Sequence, residues 1–166
     1  NFLHIDELNQ IADGSMDACL CLFDVFSYFT EDSDLDYFFD FINKKGNSSC
    51  PLIFDFWYLP AVAHLKPETR KKTFHAGNSK ITRVCEPSME VSTSCVNATH
   101  QFFLEDKKGI ETFSETHCMR CFTKNEIRLI LHQYGFELKT LGTWADPTKE
   151  PDLNDWSVLA YASRIN

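Results

Sequence analysis

Two periodicities divide the chain. Ala18 to Phe23 is a short, uncharged apolar run, fronted by Gly14 and Ser15 and closed by Asp24. Pro51-Leu-Ile-Phe-Asp-Phe-Trp57 is a second run of the same kind and carries Asp55. Runs of this length between turn signals read as strands buried on both faces. Between them, Thr30 to Asp34 offers helix caps and an acidic first turn. Leu35, Phe38, Phe39 and Ile42 follow at helical spacing, and Lys44-Lys45-Gly46 closes the helix. Upstream, Phe2-Leu-His-Ile5 reads as the tail of a further strand ending at Asp6.

Leu59 to Lys66 reads as a short helix, and Pro67 to Lys72 as a solvated charged stretch. The period then changes. Residues 72–86, 89–105 and 109–122 alternate roughly and are rich in Thr, Val and Phe, with breaks at 76–78, 86–88 and 106–109. That pattern predicts an antiparallel meander of three or four strands. Thr123-Lys-Asn-Glu126 is a capping box. It opens a helix whose apolar face is Ile127, Ile130, Leu131 and Tyr134, stopped by Gly135. Strands at 136–144 and 156–163, joined by a Pro- and Asp-containing loop, form a closing hairpin.

Buried strands alternating with helices imply an α/β fold with an open, Rossmann-like sheet. The meander is then an insertion, which divides the chain into residues 1–71, 72–122 and 123–166. In such sheets ligands bind beyond the carboxyl ends of the strands. Asp6, Asp24 and Asp55 stand at three successive strand ends, with Phe23, Phe26, Tyr28, Trp57 and Tyr58 beside them. Together they suggest a polar ligand site with stacking surfaces. Phe23 serves equally well as core.

The totals narrow the class. With 166 residues, 43% of them hydrophobic and 15 of them Phe, the chain supports a real core. Its net charge of -8 argues against a nucleic-acid backbone or an anionic membrane surface as the main partner. Seven cysteines, an odd number, favour reduced thiols in a cytoplasmic protein. Cys118 and Cys121 have zinc-like spacing but no matching second pair, so no metal is expected.

In order, these pieces resemble the class I S-adenosylmethionine-dependent methyltransferases of small-molecule type. Leu3-His-Ile-Asp6 resembles the family's acidic strand end, and residues 16–30 resemble its fourth strand and loop. Leu52-Ile-Phe-Asp-Phe-Trp-Tyr58 is similar to the fifth-strand segment. Glu115-Thr-His-Cys-Met-Arg-Cys-Phe-Thr123 leads into Glu126-Ile-Arg-Leu-Ile-Leu-His-Gln-Tyr-Gly-Phe136 as the family's corresponding segments do. Asn154-Asp-Trp-Ser-Val-Leu-Ala160 is similar to the closing strand. The departure is the family's E/D-x-G-x-G turn. The six glycines here are scattered, so the chain looks like the C-terminal part of a methyltransferase.

The resemblance implies S-adenosyl-L-methionine as cofactor, with Asp6, Phe23 and Asp24 binding it. Asp24, Tyr28 and His117 would border or serve the methyl-transfer position. Trp57, Tyr58 and Arg120 would meet a small-molecule acceptor. A histidine can act as a base near neutral pH, but His117 and Arg120 can equally be strand residues paired with Glu115 or Glu111. The partners expected are the acceptor and either a second copy of the chain or the missing N-terminal part. The alternative is a non-catalytic, methyltransferase-like interaction module that cannot bind the cofactor alone.

Overall fold

The computed structural model describes residues 8, 10–77, 79–107 and 109–165. Asp6 and the expected strand at Phe2 to Ile5 lie outside these residues. The elements run β1 (Cys19–Cys21), a 3₁₀ turn (Val25–Tyr28), α1 (Asp32–Lys45), β2 (Leu52–Tyr58), α2 (Leu59–Leu65), β3 (Arg70–Ala76) and β4 (Ser79–Glu90). They continue with β5 (Cys95–Asp106), β6 (Gly109–Phe122), α3 (Lys124–Gln133), β7 (Phe136–Thr143) and β8 (Ser157–Arg164). Among the described residues the strands form one sheet in the order β3-β4-β5-β6-β2-β8-β7, with β1 also paired to β2.

The α/β core is β1, β2, β8 and β7. β1 lies parallel to β2, while β8 is antiparallel to both β2 and β7. The closing hairpin is therefore as expected. β1 is shorter than the apolar run suggested, and Leu20 at its centre is 60% exposed rather than buried. Leu20 alternates with Cys19 and Cys21, so its side chain points to the face of β1 opposite the core. Cys19 and Cys21 share one face, as alternation requires, and both pack on the core.

Phe26 is the hub of that core. It is fully buried, and its ring lies 4.5 Å from Phe54, 5.3 Å from Phe122 and 5.4 Å from Phe29, centroid to centroid. Leu35, Phe39 and Ile42 of α1 pack onto the same cluster. Gly46 ends α1 with φ -75, so left-handed freedom is not its role. An added Cβ would sit 2.8 Å from the Ile42 carbonyl oxygen and 2.9 Å from Cys50, so the position demands a residue without one. Gly135 after α3 does need its freedom, at φ +83. Thr123 caps α3 reciprocally with Glu126, as its spacing predicts.

The meander has four strands, but one break moves. β4 runs straight through Pro87, and the turn falls after Glu90 instead of at 86–88. β3 pairs with β4 only as far as Cys85, so Pro87 lies where that side of β4 is open. A missing N–H is tolerated at such an edge. The meander also joins the core directly. Cys121 and Phe122 at the end of β6 pair in parallel with Trp57 and Tyr58 at the end of β2. One face of the meander thereby overhangs the carboxyl ends of β1 and β2.

Candidate functional site

The site begins where β1 ends. Phe23 and Asp24 are consecutive non-glycine residues in the left-handed region, at φ 65 and φ 60. Such conformations cost about 1–3 kcal/mol each and persist only where neighbours over-determine them. Three clamps do so here. The Asp24 N–H donates to Asp55 Oδ2 at 3.0 Å, and the Ser157 hydroxyl donates to Asp24 Oδ1 at 2.8 Å. The Trp57 N–H donates to the buried Ser27 Oγ at 2.9 Å. β2 and β8 thus hold the turn. It throws the Phe23 ring outward, 81% exposed, with Trp144 at 6.0 Å, so Phe23 is not core.

Opposite the turn, strand alternation sorts the meander's residues by face. β6 presents Glu115, His117 and Met119 on one side, and the register sets Ala98 beside His117 and His100 beside Glu115. β4 adds Arg83, Cys85 and Pro87 to the same face. Together with Phe23, Asp24, Tyr28 and Trp57, this face encloses a cleft of about 300 Å³.

A polar chain crosses the cleft. The Tyr28 hydroxyl lies 2.8 Å from His117 Nδ1, and His117 Nε2 lies 3.2 Å from Glu115 Oε1. A carboxylate beside Nε2 favours the proton there, which leaves Nδ1 as the acceptor for the Tyr28 O–H. Burial, with Glu115 and Asp24 nearby, raises the Tyr28 phenol above its ordinary value and keeps it protonated. His100 packs edge-on against His117 at 5.4 Å. Its buried Nδ1 has no hydrogen-bond partner among the described residues. Burial first, then the Arg83 charge, hold His100 below the usual histidine range, which favours a neutral ring.

Asp55 sits behind the turn, 2% exposed. Its Oδ2 is satisfied by Asp24, but Oδ1 has no partner among the described residues. Burial is the main cause of its raised pKa, opposed by the Asp24 N–H. A carboxyl whose folded pKa lies above its ordinary 3.8 binds more protons in the folded than in the unfolded state. Its penalty is absent at low pH and grows as pH rises through the folded value. Asp55→Asn keeps an oxygen for the Asp24 N–H and removes the charge. Thermal melts should therefore show the variant more stable than wild type at pH 7, with the gap closing toward pH 3. A variant that melts lower at pH 7 would contradict this account.

Of the residues the sequence pointed to, Phe23, Asp24, Tyr28, Trp57 and His117 meet in the cleft. Tyr58 and Arg120 do not. Tyr58 follows Trp57 on β2 and so takes the opposite face, half-buried against the main core. Arg120 stands three positions after His117 on β6, hence also on the opposite face. It binds Asp32 at 3.2 Å and Glu126 at 3.0 Å, not Glu115 or Glu111, and lies over the Phe122 ring. Cys118 and Cys121 fall on opposite faces for the same reason. Among the described residues no cluster of His, Cys, Asp or Glu is arranged to hold a metal. Arg83 and His100 were missed. Their signal was the alternation of β4 and β5, hidden by setting a break at Pro87.

No protein-family model matches the chain, and no curated protein matches it significantly. Solved structures do match. An S-adenosylmethionine-dependent methyltransferase from Clostridium acetobutylicum is similar at TM-score 0.73 and 15% identity, covering 91% of this chain and 59% of that one. A sugar N-methyltransferase from Streptoalloteichus is similar at TM-score 0.72 and 16% identity, covering 91% and 57%. An amino pentose methyltransferase from Micromonospora echinaspora gives TM-score 0.67 and 16% identity, covering 90% and 58%. The chain thus spans less than two thirds of each of these proteins. At these identities the likeness is one of fold: a Rossmann-like methyltransferase α/β sheet, extended by the meander.

Proposed function

We propose that this chain forms the acceptor side of an S-adenosylmethionine-dependent methyltransferase acting on an amine or hydroxyl of a small molecule. The observation that carries the reading is the Tyr28–His117–Glu115 chain, facing the strained turn at the end of β1. The residues present fit the cofactor on that side. Phe23 offers an exposed ring, and the Asp24 carboxylate at the cleft suits a cationic sulfonium. Phe23 and Asp24 would hold it. Bound there, S-adenosylmethionine would supply an electrophilic methyl group.

The chain's own residues supply the proton path. As the methyl group passes to the acceptor's nitrogen or oxygen and the sulfonium leaves as a neutral thioether, the acceptor's N–H or O–H would donate to the Tyr28 oxygen. The Tyr28 proton passes to His117 Nδ1, and Glu115 beside Nε2 stabilises the resulting imidazolium. Charge is conserved at each transfer, and no ion is left without a counterion. Such a positioned base contributes about 10²–10⁴-fold. Neutral His100 and Arg83 complete the polar wall against which the acceptor is oriented.

The alternative reading is a methyltransferase-like interaction module that binds no cofactor. Calorimetric titration with S-adenosylmethionine, followed by methyl-transfer assays on simple amines and sugars, decides between the two. Binding is expected, weakened at least about tenfold by Asp24→Ala, the equivalent of losing one charge-assisted contact. Absence of both binding and methyl transfer in the full-length protein would defeat the methyltransferase reading.

A further inference from the structure

The polar cleft does not end at Trp57. A second cavity of about 490 Å³ shares Asp24, Trp57 and Ala98 with it. The two are therefore halves of one space along a single face of the meander. Ala98 stands between them, 6% exposed, with His117 beside it on β6 and Pro87 beside it on β4. Its methyl is the smallest of the three side chains that line both halves.

The second half differs in chemistry. Trp57 and Trp156 meet edge to face at 5.4 Å and form its wall. Leu65, Pro67, Pro87 and Val96 continue the apolar lining, and Asp24, Glu68, Arg70 and Asn154 supply its polar groups. The first half is the more polar, lined by Tyr28, Arg83, His100, Glu115 and His117 beside the shared Asp24, while the two tryptophans, Leu65, Val96 and the prolines dominate the second. A hydroxyl-studded acceptor would leave its polar groups unpaired against Trp, Leu and Pro, which is costly. A flat apolar body would gain both burial and ring contacts there.

We infer that the acceptor is an aryl- or cycloalkyl-substituted amine or alcohol. Its reacting group lies at Tyr28 and His117, and its ring enters the Trp57–Trp156 half past Ala98. This deepens the methyl-transfer reading and rests on it for the identity of the reacting group. The specificity-determining positions are Ala98, Trp156 and Leu65.

The test is a series of primary amines, propylamine, cyclohexylmethylamine, phenethylamine and tryptamine. Binding is read by calorimetric titration, and methyl transfer is measured in parallel with added S-adenosylmethionine. Phenethylamine is expected to bind at least about tenfold more tightly than propylamine, which corresponds to burying part of one ring. Ala98→Leu, which narrows the passage, and Trp156→Ala should bring that ratio toward one. Because Trp156 is partly core, Leu65→Asp at the exposed rim serves as a second probe and should cut the ratio at least threefold. A flat series, or a ratio unchanged in all three variants, overturns the inference, even if propylamine is methylated. A ring-dependent series without any methylated product supports the pocket and defeats only the methyl-transfer reading.

Discussion

His117→Gln is expected to lower kcat for methyl transfer by about 100- to 10,000-fold, with little change in the affinity for S-adenosylmethionine. The expectation follows from position. His117 touches Tyr28 through Nδ1 and approaches Glu115 through Nε2, so it is the middle of the polar chain and not its end. Glutamine preserves polarity and bulk but cannot take a proton and become a stabilised cation. Tyr28→Phe removes the other end of the same path and should cost a similar factor. Groups that act as a unit are strongly non-additive. The double variant should therefore be little slower than the worse single one. Steady-state kinetics with a saturating amine would show the loss in kcat. A fall confined to KM, or fully multiplicative losses in the double variant, would mean that the two residues bind the acceptor without relaying its proton.

The resting state fits that role. Tyr28 is held protonated by burial and two neighbouring carboxylates, so it enters the reaction as a donor to His117. Neutral His100, kept so by burial and Arg83, adds no positive charge beside the imidazolium that His117 becomes. A cationic His100 would oppose proton transfer onto its neighbour at 5.4 Å.

How legible was this arrangement in the sequence? Elements with one dominant cause were plain. The capping box at Thr123, the apolar stripe of α1 and the closing hairpin all follow from spacing alone. Asp24 follows β1 and lines the cleft, but Asp55, read as closing its strand, stands in the middle of β2, and Asp6 lies outside the described residues. Asp55 accepts the Asp24 N–H and braces a turn, which depends on a 31-residue contact that no local pattern encodes. The face on which a side chain lands depends on register, and register depends on where each turn falls. Setting a break at Pro87 hid Arg83 and His100, while counting from His117 to Arg120 without applying the two-residue period joined residues that lie on opposite faces. Phe26 shows the same limit in the core. Its place two residues past Asp24 suggested a ligand contact, yet the left-handed turn swings Phe23 out and brings Phe26 in.

Phe26→Ala is therefore expected to be the most damaging single truncation in the described core, at about 3–5 kcal/mol. The ring is fully buried and meets six others: Phe29, Phe38, Phe39, Phe54, Phe56 and Phe122. Those neighbours come from α1, β2, β6 and the turn itself, so no one element can move in to fill the void. Against a typical total of about 5–15 kcal/mol, such a loss is a large share of the folding free energy. It corresponds to a fall in Tm of roughly 6–20 °C for a chain of this size. The 3₁₀ turn ties this loss to the site, because Phe26 anchors the segment that aims Asp24 and Tyr28. Phe26→Leu keeps most of the volume and should lose appreciably less stability. It should still lower kcat, because a smaller anchor lets Tyr28 drift from its 2.8 Å contact with His117. Thermal melts and kinetics on both variants separate the effects. A Phe26→Ala protein that melts within a few degrees of wild type would show that the core collapses readily around the missing ring, and that the clamps from Asp55, Ser157 and Ser27 hold the turn without it.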